Sequence, residues 1–370
     1  MSISKVAKLA GVSSATVSRV INNHARVAPS TAQSVRQAMQ TLGYTPSENR
    51  PGPKPKSRNR RERPEIAFLV LGTSRSRATP AFQDLLRGVS MGAAGNDLNL
   101  IFHHVADPTR LAARTLEQLD GVLLHGATPT GEVRERLRWL PTVWLMGNVR
   151  RPDWGDQVLP DGYQVGEQAA KYLIGRGHER LAFLNLDSGH RSLRLYGHAF
   201  GAAAQDAGAH VDRVEQPSEA AEEYWHSHST EAVERLVQRY LEISPRPTGV
   251  FVADDMQVAM LQPALQKHGV EVAPGAVDVI SCNNEQPYLV GLSPKPAVID
   301  IRVESIGRRG VEQLLWRLAH TDVPERIITA IEPLVIPPDR ANGERAAANG
   351  ANVGGGDAGT GVAGDAHAAS

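Results

Sequence analysis

One cysteine, Cys282, stands in 370 residues. A single thiol excludes an internal disulfide framework and fits a reducing compartment. Aromatic residues are few, at 5% of the chain, while the apolar content of 41% is ordinary. No apolar run reaches membrane-spanning length. The start, MSISKVAKLAGVS, is amphipathic rather than a charged stretch followed by an apolar block, so it does not read as a signal peptide. These absences lead to the expectation of a soluble, cytoplasmic protein of two or three domains.

Acidic residues are nearly missing from the first 63 positions, which hold 12 Lys/Arg and 2 Glu, a net of +10. The remainder carries 28 Lys/Arg against 38 Asp/Glu, a net of −10, so the formal total is zero. A basic arm on an acidic body suggests that the arm meets a polyanion. Nucleic acid is the first candidate and an anionic membrane surface the second.

Three helices fit the first 46 residues. Ser2 can cap the first, on which Ile3, Val6 and Leu9 share a face. Gly11 permits a tight turn, and Ser13 can cap a second helix bearing Val17, Val20 and Ile21. Pro29 and Ser30 start a third, with Val35, Ala38 and Leu42 inward and Gly43 just past its end. From Pro64 the rhythm changes to continuous apolar runs alternating with helical patterns. The runs EIAFLVLG (65–72), LNLIFHHV (98–105), DGVLLHG (120–126) and PTVWLMG (141–147) predict strands of a parallel sheet covered on both faces. RLAFLNL (180–186), TGVFVAD (248–254) and VDVISCN (277–283) predict a second such sheet, and PAVIDI (296–301) and PLVIPP (333–338) follow. Helices are expected near 80–95, 107–118, 130–139, 163–176, 191–207, 228–241, 255–268 and 304–319. The fold class is therefore a small helix-turn-helix domain followed by an α/β core of two doubly wound subdomains. The expected divisions are 1–48 for the helical domain, 49–64 for a basic Pro-rich linker, 65–338 for the core and 339–370 for a disordered Ala/Gly-rich tail. Within the core, subdomain 1 is expected to take about 65–161 and 293–320, and subdomain 2 about 162–292 and 321–338.

The stretch VAKLAGVSSATVSRVINN carries the most information. Ala7 lets two helices approach, Gly11 makes the turn between them, and Val17 locks the second onto the first. That is the geometry that lays a second helix in the major groove of DNA, and an ordinary helical hairpin is the alternative. The outer face holds Ser14, Ala15, Thr16, Ser18, Arg19 and Asn22. Apart from Arg19 these side chains are short, so the helix can sit deep and Arg19 can reach guanine O6 and N7 with two parallel hydrogen bonds.

With these residues in hand, VAKLAGVSSATVSRVINNHARV followed by TAQSVRQAMQTLGYTPS resembles the lactose-repressor/galactose-repressor (LacI/GalR) family of bacterial transcription regulators. The resemblance continues through FQDLLRGVSMGA, DGYQVGEQAAKYLIGRGHERLAFLNL, RLYGHAFGAAAQDAG, PTGVFVADDMQVAM, DVISCNNE and ESIGRRGVEQLL, from residue 2 to about 338. The N-terminal motif is highly specific. The body motifs are less so, because sugar-binding periplasmic proteins are similar to them. The resemblance implies a homodimer on a pseudo-palindromic operator, its periplasmic-binding-protein-like core closing over a small, sugar-like effector. It places Ser14, Ala15 and Arg19 where the family reads bases, Ser18, Asn22 and Thr31 where it touches phosphates, and Tyr44 where it packs the small domain. For the effector it points to Phe82, Arg194, Asp254 and Asn283, with Gly72, Thr73 and Asn148 as weaker matches. Asp254 stands where Asn is usual and Asn283 where Asp is frequent, so the ligand does not transfer. A structural salt bridge between Arg194 and Asp254 is the alternative reading of that pair.

The linker NRPGPKPKSRNRRERP departs from the family. At the positions of the usual hinge helix stand Arg50, Pro51, Gly52 and Pro53, with no leucine for the minor groove, and the prolines remove helix hydrogen bonds. A Pro-fixed extended chain carrying Arg50, Lys54 and Lys56 suits a narrow A·T-rich minor groove, with Arg58, Arg60, Arg61 and Arg63 adding phosphate contacts. A flexible spacer whose charge raises non-specific affinity is the alternative.

Other signals read as structural. GVSMG (88–92) fits the serine-hydrolase G-x-S-x-G, but it falls within an amphipathic helix rather than on a strand-to-helix turn, so Ser90 reads as a packing residue. His226 and His228 near Glu222 and Glu223 lack a second ligand cluster, and His178 reads as a helix-end residue. His103 and His104 end a strand, and one of them could reach the cleft. Arg134, Arg136 and Arg138 alternate with Glu132 and Glu135 as a solvated face. No cofactor, metal or nucleophile–base set is implied, so an enzyme is not expected. A solute-binding protein is opposed by the missing export signal and the basic arm. The leading expectation is a ligand-responsive repressor; the alternative is a DNA-binding regulator of the same fold without ligand control.

Overall fold

The computed structural model describes residues 3–21, 28–44, 63–72, 79–107, 111, 116–146, 153–216 and 229–338. The first two segments form the helices Ile3–Ala10 (α1), Ser14–Ile21 (α2) and Pro29–Thr41 (α3). Val6, Ala7, Val17, Val20, Val35, Ala38 and Tyr44 are buried together between them. Gly11 turns the chain at φ +66°, a region costly for residues with a Cβ, and the Val12 N–H donates to the Ala7 carbonyl at 3.0 Å. Ser13 caps α2, its Oγ accepting from the Thr16 N–H at 3.1 Å. Leu9 does not share the buried face, being 53% exposed. With Val6 and Ala7 inward, a step of about 100° per residue gives the next inward place to Ala10 and turns Leu9 outward. The capping expectation for Ser2 lies outside the described residues.

The core holds two six-stranded sheets. The first contains Glu65–Leu71 (β1), Asn99–Val105 (β2), Gly121–Gly126 (β3), Thr142–Leu145 (β4), Asp156–Pro160 (β5) and Ile328–Ile331 (β11), in the order β11-β5-β4-β3-β1-β2, paired in parallel throughout. The second contains Arg180–Asn185 (β6), His210–Glu215 (β7), Gly249–Val252 (β8), Asp278–Cys282 (β9), Ala297–Asp300 (β10) and Leu334–Ile336 (β12), in the order β12-β10-β9-β8-β6-β7. Its pairings are parallel except for the antiparallel β10–β12 pair. Alternate residues of β1 explain its unbroken apolar run. Ile66, Phe68 and Val70 enter one core, while Ala67, Leu69 and Leu71 enter another on the opposite face.

Helices Pro80–Gly95 (α4), Gly131–Leu137 (α5) and Val303–Ala319 (α11) pack with the first sheet. Gly162–Ile174 (α6), Arg191–Asp206 (α7), Thr230–Leu241 (α8) and Asp255–Lys267 (α9) pack with the second, and a short turn of helix, Gln286–Leu289 (α10), follows β9. The α4–α11 contact is backbone-close. A Cβ on Gly88 would lie 2.1 Å from the Glu304 carbonyl oxygen, and one on Gly307 would lie 2.6 Å from that of Leu85. The glycines of GVSMG thus serve helix packing, whereas Ser90 is not the packing residue expected: it is exposed in mid-helix, and its hydroxyl donates to the Leu86 carbonyl at 2.8 Å.

The division of the last part of the core differs from the expectation. Residues 293–320 do not fall together in subdomain 1, because β10 joins the second sheet while α11 returns to the first. Nor do 321–338 fall together in subdomain 2, since β11 pairs with β5 in the first sheet before β12 enters the second. The chain therefore crosses between the sheets after β5 at Asp161, after β10 at Ile301–Arg302 and after β11 at Glu332–Pro333. Arg302 makes its crossing at φ +54°, its N–H donating to Asp300 Oδ1 at 2.7 Å. The Asp161 N–H donates to the Ile331 carbonyl at 2.9 Å, so two crossings lie side by side.

A buried ion pair fixes this arrangement. Asp156, at the start of β5, receives Arg317 of α11 on both oxygens, Nη2 at 2.7 Å and Nε at 3.0 Å. Gln313 Nε2 and the Ile327 N–H complete its shell at 2.7 and 3.0 Å. One carboxylate thereby joins strand, helix and the returning chain.

Candidate functional site

The helical domain presents α2 with Val17 and Val20 buried, so the opposite face is free of the domain's own core. Ser14 and Arg19 are exposed on it, and Ser18 is partly covered. Ala15 belongs to the same helix, and Thr31 is partly covered in the first turn of α3. An exposed guanidinium among short side chains has the reach and the donors for a base edge in a major groove. Asn22 and the linker residues Arg50, Lys54 and Lys56 lie outside the described residues, as do Arg58, Arg60 and Arg61. Arg63 is described, and its Nε meets Asp97 at 3.0 Å beside the start of β1.

The second candidate region lies at the carboxyl ends of the strands. Asp254 follows β8 and caps α9: Oδ1 accepts from the Gln257 N–H at 2.8 Å and Oδ2 from Gln257 Nε2 at 2.9 Å. Gln257 in turn accepts the Leu186 N–H at 2.7 Å, which ties the ends of β6 and β8 together. Burial pushes the Asp254 carboxyl up to about 6, against the two Gln257 hydrogen bonds and helped by the charge of Asp187. Beside it Asp255 is fully buried, accepting from Ser281 Oγ and from the Glu285 N–H, and burial raises it well above the ordinary range.

Asn283, at φ +106° just past β9, donates its side-chain amide to Glu285 Oε2 at 3.2 Å. The other oxygen of Glu285 accepts the N–H of Ala81, in the first turn of α4, at 2.9 Å. Glu285 is raised to about 7, first by burial, then by the charges of Asp254 and Asp84, against the hydrogen bonds from Ala81 and Asn283. Phe82, next to Ala81, is 4% exposed and stacks with Phe68 and His125 at centroid distances of 6.2 and 6.1 Å. Burial holds His125 below the usual imidazole range, though its Nδ1 lies 3.3 Å from the Leu145 carbonyl.

Phe82, Asp254 and Asn283 therefore converge, and Glu285 is what links them. Arg194 is placed differently. It is exposed on α7, and its Nη1 donates to the Ser188 and Gly189 carbonyls at 2.9 and 2.8 Å. Among the described residues no ion pair joins it to Asp254, so the salt-bridge reading of that pair does not hold. Its loop partners reflect its place one turn into α7, directly above the β6–α7 loop. Gly72 follows β1 at φ +98°, and its carbonyl meets His104 Nε2 at 2.9 Å, while His103 is exposed. Thr73 and Asn148 lie outside the described residues. Cavities of about 60 and 200 Å³ occur elsewhere, and none of the four candidate effector residues lines either.

Glu285 and His125 were not singled out from the sequence. His125 was available as the polar end of the run DGVLLHG; Glu285 carried no local signal, because its partner is 204 residues away. His178 is structural, with its ring between Thr248 Oγ1 at 2.9 Å and Asp278 Oδ2 at 3.0 Å rather than at the helix carbonyls. Its backbone N–H takes that place, donating to the Leu173 carbonyl at 3.3 Å. Arg134, Arg136 and Arg138 pair with Asp153, Glu132 and Glu135 as a charged face. His226 and His228 lie outside the described residues.

Set beside known proteins, residues 2–47 match the bacterial regulatory proteins, lacI family, and residues 170–337 match the periplasmic binding protein-like domain. The HTH-type transcriptional regulator GntR of Pseudomonas aeruginosa is 30% identical over 336 residues, covering 87% of this chain and 90% of that protein. Among solved structures, the transcriptional regulator CelR–cellobiose complex superposes with a TM-score of 0.60 at 22% identity, over 91% of this chain and 98% of the other. The lac repressor dimer bound to operator and the anti-inducer ONPF does so with a TM-score of 0.59 at 17% identity, over 91% and 97%.

Proposed function

The chain belongs to the lacI family of bacterial regulatory proteins, and on that premise we propose that it represses transcription as a homodimer, under the control of a small sugar-like effector held between its core subdomains. The observation that carries the DNA reading is the α2 face, with exposed Ser14 and Arg19 opposite a helix side locked by Val17 and Val20. Ser14, Ala15 and Arg19 would read bases, while Ser18, Asn22 and Thr31 would hold phosphates and set the register. Two such heads, roughly 34–36 Å apart, would meet successive major grooves on one side of the duplex. Dimerisation is supported by the edge of the first sheet: Ile101 and Phe102 of β2 and Met91 of α4 are 36%, 41% and 47% exposed. It is supported too by the operator-bound dimer of the lac repressor. No helix among the described residues is long and apolar enough to cross a membrane.

The effector reading rests on the convergence of Phe82, Asp254 and Asn283 at the carboxyl ends of the strands, where open α/β sheets bind ligands. The cellobiose bound by the similar regulator supports the sugar class. Arg194, engaged by the Ser188 and Gly189 carbonyls, would have to exchange those partners for the ligand. An effector acts through its different affinities for the open and closed core, and so changes how the heads are held. The test is selection of bound DNA from a random pool, repeated with a sugar panel. A pseudo-palindromic site whose recovery shifts with one sugar is expected. Enrichment of no sequence would sink the operator reading, and enrichment indifferent to every ligand would leave a regulator of this fold without ligand control.

A further inference from the structure

We infer that Glu285 is an internal latch, a tethered carboxyl that holds the two core subdomains closed when no effector is bound. The residue is aimed by its surroundings. Its N–H donates to Asp255 Oδ2 at 2.6 Å, and its Oε2 accepts from Asn283 Nδ2 at 3.2 Å. Both anchors belong to the second subdomain. The remaining oxygen, Oε1, reaches across to the Ala81 N–H of the first at 2.9 Å. Ala81 stands in the first turn of a sixteen-residue helix, where backbone N–H groups have no intrahelical acceptor and the helix dipole favours an acidic partner.

The cap of this helix is divided between subdomains. Thr79 of the first accepts the Phe82 N–H through Oγ1 at 3.3 Å, Pro80 has no N–H, and the Ala81 N–H goes to Glu285 of the second. Opening the cleft necessarily separates Ala81 from Glu285 and leaves the Thr79 cap in place. The groups facing Glu285 set a limit on the latch. Asp254 follows β8, Asp84 lies on α4 and Asp255 starts α9, while Tyr288 lies in its own helical turn. All of these carboxyls oppose ionised Glu285, but only Asp84 lies across the cleft, so closure is favoured by hydrogen bonding and weakened by the like charge of Asp84. A contact so balanced can be outcompeted by a ligand. It acts in the absence of one, and its test is therefore separate from whether a sugar binds.

The experiment uses the full chain without effector. Hydrogen exchange with single-residue resolution follows the Ala81 amide, and small-angle scattering follows the compactness of the core. In the natural sequence the Ala81 amide is expected to exchange at least about tenfold more slowly than a free helix-start amide. E285A should abolish that protection and enlarge the radius of gyration, while Phe82 protection is retained. E285Q, which keeps the acceptor oxygen, should restore both. The latch is overturned by an unprotected Ala81 amide in the natural chain, a result that needs no variant to fold. It is overturned equally by E285A with unchanged exchange and scattering, or by E285Q behaving as E285A.

Discussion

Arg19 combines an exposed position with flanking side chains too short to share its task. Replacing it with Ala is expected to weaken operator binding by about 1–3 kcal/mol and relax one base position. Titration of operator and random duplexes side by side checks this, since equal losses on both would make Arg19 a phosphate contact. In the linker, Lys54→Ala with Lys56→Ala should weaken operators with A·T centres more than those with G·C centres. A uniform loss in the same assay would reduce the segment to a charged spacer. At this scale the sequence reveals chemistry better than partners. Asp254 was legible as an acid at a strand end, but its hydrogen bonds to Gln257 depend on a helix starting at that point. Arg194 was legible as a cation near the cleft, yet its carbonyl partners come from a loop whose course no spacing specifies. Glu285 was silent because its meaning arises when two distant segments meet.

Among elements, the α4–α11 contact is the tightest point of the first subdomain. Gly88→Ala would drive a methyl into the Glu304 carbonyl, and overpacking of this kind costs roughly 1–3 kcal/mol. Urea unfolding should register it as a lowered midpoint, whereas Ser90→Ala, on the exposed side of the same helix, should leave the midpoint nearly unchanged. The Asp156–Arg317 pair makes a larger claim. Asp156→Ala strands a buried guanidinium at the junction of β5, α11 and β11, a loss of about 3–5 kcal/mol. A change smaller than about 1 kcal/mol in the same unfolding experiment would contradict that view of the junction. The helices and central strands were readable because amphipathic period and unbroken apolar runs are local properties. β7, reading HVDRVE, was not, since an edge strand with partly exposed side chains needs no apolar run. β5 and β11 were missed because they are short and gain their places by pairing with each other across more than 160 residues of chain.

For the whole molecule, the buried acids give acidification an unusual sign. Asp254 and Glu285 are raised to about 6 and about 7, so each binds its proton more readily in the folded core than in the unfolded chain. Their contribution to stability is complete below the unfolded carboxyl range and is lost as pH rises through 6 and 7. Carboxyls held low, such as Asp278, where burial is outweighed by the hydrogen bonds from Arg176 and His178, lose their contribution only as pH falls below the ordinary aspartate range. Buried His125 and His190, held below the imidazole range by burial, carry the opposite sign in this window, so the carboxyl is isolated by comparing variants: Glu285→Gln should gain less in melting temperature, or lose more, than the natural chain between pH 8 and about pH 5. Scanning calorimetry of both proteins across this window decides it, and parallel profiles would refute the assignment.

The neighbouring crossings of the chain, after β5, β10 and β11, have a mechanical consequence. A body joined to another by one strand can swing, twist and slide, whereas parallel straps set side by side suppress twisting and sliding and leave a single angle free. Whatever binds in the gap can then adjust only that angle. A graded stimulus at the cleft would thus become a one-dimensional displacement at the amino end of the first sheet, where β1 begins and the chain leads back toward the helical domain.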